Sequence, residues 1–464
     1  MYVLKIKYII RFVFKRYIFQ FVIFFFILVY FFISNFIIAD TGYSFASDYI
    51  INKFEINNTK NKISLKNDNT LSFKNNILFD FDNVNGFIKK GQKRNNKYNP
   101  SKIQLHETDI WIRSNGGDYS NKYSNLKFIN KNNIHNLSLN FKIELDKNKI
   151  FKKKWMNNVE TNPIFYKGLL FVITPYKELI AVDILNKKIK WKFKSLKKID
   201  SRGITLWINK NDESKSCIFV PIRNGLFCIN YKTGKLNKTL GINGFIKTGI
   251  VRAAPIIWKD YVVVATVDDQ RVKIISLNNG NVVDKIEIHP KKRNFKGGSP
   301  WGGISFDKKN NLLFLTTGNP RPALIGTSRP GKNKNANSVI AIDLSERKIL
   351  WTFQEVAHDL WDYDIASPPL LATINLDNKL IDVVIVTTKI GNTFIFNRLT
   401  GESLHDINFQ NVPKSDYIDE IISPKQIKSQ TPEPFMKLNI SLDDFDSRLD
   451  PDKRNLLSNI EDYS

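Results

Sequence analysis

Cysteine is almost absent: Cys217 and Cys228 are the only two in 464 residues. No Cys-x-x-Cys-His occurs, so no haem is attached to this chain. No Gly-x-Gly-x-x-Gly fingerprint precedes a helical pattern, which argues against a nicotinamide enzyme. Acidic charge is also scarce, with 44 Asp and Glu against 70 Lys and Arg and a net charge of +26. A basic nucleic-acid binder usually concentrates its charge on one stripe or tail. That concentration is missing here. Lysines are scattered through turns such as LNKK and LKK and read as a solvated surface, so no nucleic acid is expected as a partner. Attraction to anionic lipid headgroups is a secondary reading. Binding to an anionic polymer, sensitive to moderate salt, is a weaker third.

The two cysteines flank CIFVPIRNGLFC, which reads as a hairpin with Asn224-Gly225 as its turn. That turn pairs Val220 to Ile222 with Leu226 to Cys228 and leaves Cys217 well away from Cys228. Buried free thiols, not a disulfide, are the expectation.

What is plentiful is core material: 42% hydrophobic and 12% aromatic residues, within range for a large all-β domain. Residues 1–16 carry Lys5, Lys7, Arg11, Lys15 and Arg16. Residues 17–39 are almost wholly apolar, long enough to cross a bilayer as a helix or signal anchor. The positive flank predicts a cytoplasmic N-terminus, with everything after Asp40 on the exported, periplasmic side of an inner membrane. A cleaved signal peptide ending near Ala39 is the alternative. Residues 40–108 are polar and without lasting period, and read as a tether.

From 109 to 410 the chain repeats. Ala181-Val182-Asp183 is followed by Trp191, and Ala341-Ile342-Asp343 by Trp351, at the same spacing. Asn230 to Gly234, Ser276 to Gly280 and Asn397 to Gly401 occupy equivalent turns. Units of roughly 45 to 65 residues, each strand, turn, strand, turn, are the signature of a β-propeller. Five units are legible, around Glu160 to Phe193, Ser216 to Leu240, Val251 to Ile286, Leu312 to Phe353 and Pro368 to Ile407. Residues 411–464 turn polar again.

The most informative stretch runs from Gly297 to Thr400. HDLWDYD puts three acids, a histidine and two aromatics into seven residues, and a lone Lys389 sits among β-branched neighbours. Acids beside aromatics, and a lysine against apolar strands, typify sites with perturbed titration. Taken singly, turn capping by Asp359 and Asp364 and snorkelling of Lys389 explain each.

In combination, PWGG, TTGNP, HDLWDYD and TKIGNTFIFNRLTGE resemble the quinoprotein dehydrogenases, which use pyrroloquinoline quinone (PQQ). They occur in that family's order and at its approximate separations. The likeness is strongest to the membrane-associated glucose-dehydrogenase-like branch. It implies an eight-bladed propeller, of which about five blades are present here, with a second chain that supplies the closing blades as one way to complete the ring. The repeated tryptophans then read as docking residues that pack between blades. The activity implied is oxidation of an alcohol or sugar hydroxyl, with electrons passing to a membrane quinone or a cytochrome. A divalent ion, Ca2+ or Mg2+, polarises the quinone.

By the same resemblance Asp362 is the catalytic base, with Trp361 and Tyr363 limiting its solvation. Lys389 meets the quinone oxygens, Trp301 is the floor under the ring, and Glu160, Arg202 and Arg252 hold the cofactor. Asn319 and Asp362 are metal ligands, with Asp268 or Asp269 as the second acid. The rival reading is a non-catalytic, incomplete propeller that serves as an envelope scaffold or protein-binding module.

Overall fold

A computed structural model describes residues 88–89, 110–124, 126–145, 159–195, 199, 202–428 and 432–435. The expected membrane helix over 17–39, most of the tether and residues 436–464 lie outside the described residues. Within them no helix is long and apolar enough to cross a membrane.

Five antiparallel sheets follow one another along the chain, one for each repeat unit. The first runs, from its inner strand outward, Ile164–Tyr166, Leu169–Ile173, Glu178–Asp183 and Lys188–Lys194, with Ile110–Trp111 added at its inner edge. The second is Thr205–Trp207, Cys217–Ile222, Gly225–Asn230 and Phe245–Lys247. The third is Ile256–Trp258, Tyr261–Ala265, Arg271–Ser276 and Val282–Glu287. The fourth is Ile304–Asp307, Leu312–Thr316, Ser338–Asp343 and Lys348–Gln354, with Ile88–Lys89 added at its outer edge. The fifth is Leu370–Leu376, Lys379–Thr387 and Thr393–Asn397. These are the blades of a β-propeller.

The burial pattern explains the order of the strands. The middle strands of blade four, Leu312–Thr316 and Ser338–Asp343, are buried at every position. They are covered on both faces by neighbouring blades, hence their unbroken apolar runs. The outer strand of blade one, Lys188–Lys194, instead exposes Lys188, Lys190, Lys192 and Lys194 in alternation. Charge on an edge strand discourages pairing with another chain. Four apolar clusters fill the blade interfaces in turn: one and two, two and three, three and four, four and five.

The tryptophan repeat holds the blades together. Trp191 Nε1 donates to the Tyr231 carbonyl at 3.0 Å, and Trp351 Nε1 to the Arg398 carbonyl at 3.2 Å. Each ring lies against the turn glycine of the next blade. A Cβ on Gly234 or Gly401 would come within 2.6 Å of the indole, and both glycines have left-handed φ, 71° and 72°. Trp351 is fully buried, whereas Trp191 is only partly so.

The segment 111–120 threads the inner strands. Ile112 accepts from the Leu206 amide, Asp118 from Phe306 and Tyr119 from Leu371, so it touches blades two, four and five in order. Arg113, 2% exposed, spreads its guanidinium over the carbonyls of Ala254, Pro255 and Ile304 at 2.7–3.0 Å. With its donors satisfied by carbonyls, burial lowers the Arg113 pKa to about 10.

The cysteine expectation is overturned: Cys217 and Cys228 form a disulfide, with Cα atoms 5.4 Å apart. The hairpin turns at Arg223–Asn224, so Ile222 pairs with Gly225, and Cys228 pairs with Phe219, one residue away from the expected partner Val220. That one-residue shift puts Cys217 and Cys228 on the same face as diagonal neighbours, where the expected register put them on opposite faces.

Candidate active site

Every candidate residue sits at one end of the blades, for a topological reason. In an antiparallel meander the start of the inner strand and the end of the second strand lie at the same edge. Glu160, Arg202, Arg252, Trp301 and Asp364 precede the inner strands of blades one to five. Asn319 and Lys389 follow the second strands of blades four and five, and Asp268 and Asp269 that of blade three.

Six of these residues, joined through Asp364, form one continuous chain of contacts. Glu160 Oε2 pairs with Arg202 Nε at 3.1 Å. The Arg202 guanidinium lies 4.6 Å from the centre of the Trp301 ring. Trp301 Nε1 donates to Asp364 Oδ1 at 3.0 Å, and the Asn319 amide donates to the same oxygen at 2.9 Å. Asn319 Nδ2 donates to Asp362 Oδ1 at 2.7 Å. Lys389 Nζ then reaches Asp362 twice, at 2.9 Å to Oδ2 and 2.6 Å to its carbonyl. Gly318 permits the junction: a Cβ there would lie 2.1 Å from Asp364 Oδ1 and 2.6 Å from Trp301 Nε1.

The loop that carries Asp362 is held from behind. Asp359 accepts the amides of Trp361 and Tyr363, each at 2.8 Å, and Asn337 Nδ2 at 2.9 Å. Arg329 Nη2 donates to the Asp359 carbonyl at 2.5 Å. His358 Nε2 lies 2.7 Å from Glu420 Oε1, which ties the loop to the segment after blade five. These anchors fix two non-glycine residues in the left-handed region, His358 at φ 57° and Asp362 at 63°. Each such residue costs on the order of 1–3 kcal/mol, which the surrounding bonds must offset. Burial pushes the carboxyls of Asp359 and Asp364 above the ordinary range, against the pull of their donors.

Three expectations need correction. The aromatic shield of Asp362 is not formed: Trp361 is 68% exposed and the Asp362 side chain 39%. Asp268 and Asp269 are committed elsewhere. Asp268 Oδ1 accepts the Ile250 amide at 3.0 Å, while Asp269 takes the Thr266 hydroxyl and the Lys273 ammonium, the latter at 2.6 Å. Arg252 enters through its backbone, whose carbonyl accepts the Arg202 amide at 2.8 Å. Asp364 was legible only as a turn acid. Its place between Trp301 and Asn319 depends on contacts across 63 and 45 residues, which local spacing does not reveal.

The glucose/ethanol/alcohol dehydrogenase β-propeller domain, the PQQ family, matches residues 111–282 and 278–462. The chain belongs to this family of PQQ propellers. Among its relatives, quinoprotein glucose dehydrogenase A of Acinetobacter calcoaceticus is 26% identical, covering 73% of this chain and 49% of that protein. Quinoprotein glucose dehydrogenase of Escherichia coli K12 is also 26% identical, over 66% of this chain and 44% of its own. The chain thus spans about half the length of the curated relatives it matches. Among solved structures, a europium-containing methanol dehydrogenase superposes with a TM-score of 0.53 at 20% identity, covering 64% of this chain and 58% of its own. The quinohemoprotein alcohol dehydrogenase of Comamonas testosteroni gives 0.53 at 19%, over 71% and 53%. At that identity both report the fold.

The PQQ propeller's residues fit the cofactor better than the metal. Trp301 already has a planar cation, the Arg202 guanidinium, over its ring, so that face admits a flat group. Arg202 and Lys389 are partly exposed cations suited to carboxylate and quinone oxygens. Calcium takes six to eight oxygens. Among the described residues no three His, Cys, Asp or Glu side chains gather to hold an ion, and Asn319 turns its amide nitrogen, not its oxygen, to Asp362. The donor set therefore does not by itself build a calcium site.

Proposed function

We propose that this chain contributes the cofactor face of a PQQ-dependent dehydrogenase acting on an alcohol or sugar hydroxyl. The observation that carries the reading is the unbroken chain from Glu160 to Lys389, which joins residues from blades one, two, four and five at one edge. Bound PQQ would supply the two-electron acceptor, taking a hydride from the substrate carbon. The protein's part is proton transfer and placement. Asp362, partly open to solvent, takes the hydroxyl proton as the carbonyl product forms. Lys389 holds that carboxylate and presents positive charge where negative charge develops. Trp301 supports the ring from below, kept in plane by Asp364. Arg202, with Glu160, grips a cofactor carboxylate.

Residues 17–39 would anchor the chain in the inner membrane, with the propeller exported. The disulfide supports an oxidising compartment, since cytosolic thiols are kept reduced. A membrane quinone or a cytochrome would then take the electrons, and further blades would enclose the cofactor. Calcium would need ligands beyond Asn319 and Asp362.

The engagement of Asp268 by the Ile250 amide and of Asp269 by Lys273 favours the rival scaffold reading. Titration with PQQ of the purified chain together with the enclosing blades, followed by quenching of tryptophan fluorescence, separates the two. The enzyme reading expects saturable binding that Trp301→Ala abolishes. Absence of saturable binding in the unmutated protein leaves the scaffold.

A further inference from the structure

Glu355 is a buried acid that the proposed chemistry does not use. It directly follows the outer strand of blade four, Lys348–Gln354, and is 1% exposed. Its Oε1 accepts two hydrogen bonds from blade five, from Thr388 Oγ1 at 2.8 Å and Asn392 Nδ2 at 2.9 Å. Those residues bracket the turn that carries Lys389. The turn is closed on itself by Thr388 N to the Asn392 carbonyl at 2.9 Å and Gly391 N to the Thr388 carbonyl at 3.1 Å. On its other side the Glu355 amide donates to the Asn337 carbonyl at 2.9 Å. Asn337 Nδ2 in turn bonds Asp359 Oδ2 and the Tyr363 carbonyl, and so holds the Asp362 loop.

The two halves of the Lys389–Asp362 pair therefore return to one residue. We infer that Glu355 is a positioning residue: its carboxyl oxygen pins the Thr388–Asn392 turn and its amide pins Asn337, setting Lys389 against Asp362. The inference rests on the proposed role of Lys389 but not on cofactor binding. A purely structural strand end would not need an acid here. Glu355 Oε2 is buried without a hydrogen-bond partner, a cost that an apolar residue would avoid. Such costs are retained chiefly near functional groups. Burial also pushes the Glu355 carboxyl up to about 7, against the pull of Asn392 and Thr388.

The test reads the Lys389 amine directly, in the cofactor-free full chain. Lysines are acylated in competition with a reference amine, and labelling is quantified peptide by peptide, with exposed Lys308 and Lys379 as internal standards. Glu355→Ala removes the acceptor and should raise Lys389 labelling roughly five- to tenfold, the factor expected for about one net hydrogen bond. Glu355→Gln keeps an acceptor oxygen and should restore the slow rate. If Glu355→Ala does not fold, shown by faster labelling of the buried Lys273 as well, Thr388→Val removes one of the two donors and should raise labelling partway. Unchanged Lys389 labelling in a folded Glu355→Ala protein, or failing that in Thr388→Val, would overturn the inference. So would Glu355→Gln labelling as fast as Glu355→Ala. Because PQQ is absent, the result stands whether or not the chain binds it.

Discussion

Trp301 Nε1 and Asp364 Oδ1 are joined at 3.0 Å across 63 residues of sequence. The same carboxylate oxygen accepts the Asn319 amide, so one buried acid sets the plane of the indole and the position of the TTGNP turn. A tryptophan that is to support a flat ring needs its plane fixed in advance.

Gly318 is where this junction is most easily broken. Gly318→Ala would drive a methyl into Asp364 and Trp301. The expected cost is about 1–3 kcal/mol, as for other overpacked positions. Chemical denaturation should show the loss, and tryptophan emission should shift as Trp301 is displaced. An unchanged midpoint and spectrum would place Trp301 elsewhere.

Glu355 predicts a pH dependence of stability. Its folded pKa is raised from 4.5 to about 7 by burial. A group raised on folding adds stability that is fully present below the unfolded value and lost as pH rises through the folded one. Glu355→Gln removes that loss. Well above neutrality the variant should be more stable than the parent by on the order of 3 kcal/mol, with the difference vanishing below about pH 4. Denaturant titrations at several pH values measure it.

The disulfide predicts a compartment and a stability. Cys228→Ser opens a loop of 11 residues' separation. Chain entropy puts the cost at about 2–3 kcal/mol. Chain isolated from its native cells under non-reducing conditions should contain no titratable thiol until reduced.

Blade docking predicts unequal tryptophans. Trp351→Ala leaves a cavity in a fully buried site and should cost about 3–5 kcal/mol. Trp191→Ala, at a partly exposed position, should cost clearly less. Equal losses by denaturation would contradict the packing described.

The repeats were legible because they are local. Alternation within strands, the Asn-to-Gly turns and the tryptophan ten residues after each Ala-x-Asp all fall inside one unit, and the five sheets appear where those units were placed. Glu160, Arg202, Trp301, Asn319, Asp362 and Lys389 were legible through motif order, and the blade ends bring them into one chain of contacts. What failed depended on register or on burial. One residue in the Arg223–Asn224 turn decided whether Cys217 faces Cys228. Flanking Asp362 with Trp361 in sequence did not bury it: Trp361 is exposed. Asp268 and Asp269 were placed by order along the chain, but Lys273 and the Ile250 amide engage them first.

Asp362 is proposed here as the base of a PQQ-dependent oxidation. The most direct measurement compares Asp362→Asn with the parent, each reconstituted with PQQ and a divalent cation alongside the completing blades, for both PQQ binding and alcohol-dependent dye reduction. The substitution keeps the shape of the side chain and its contact with Lys389 but removes the basic oxygen. PQQ binding should stay close to the parent's and dye reduction should fall by on the order of a hundredfold or more. Dye reduction unchanged in Asp362→Asn, with PQQ bound, would contradict that role.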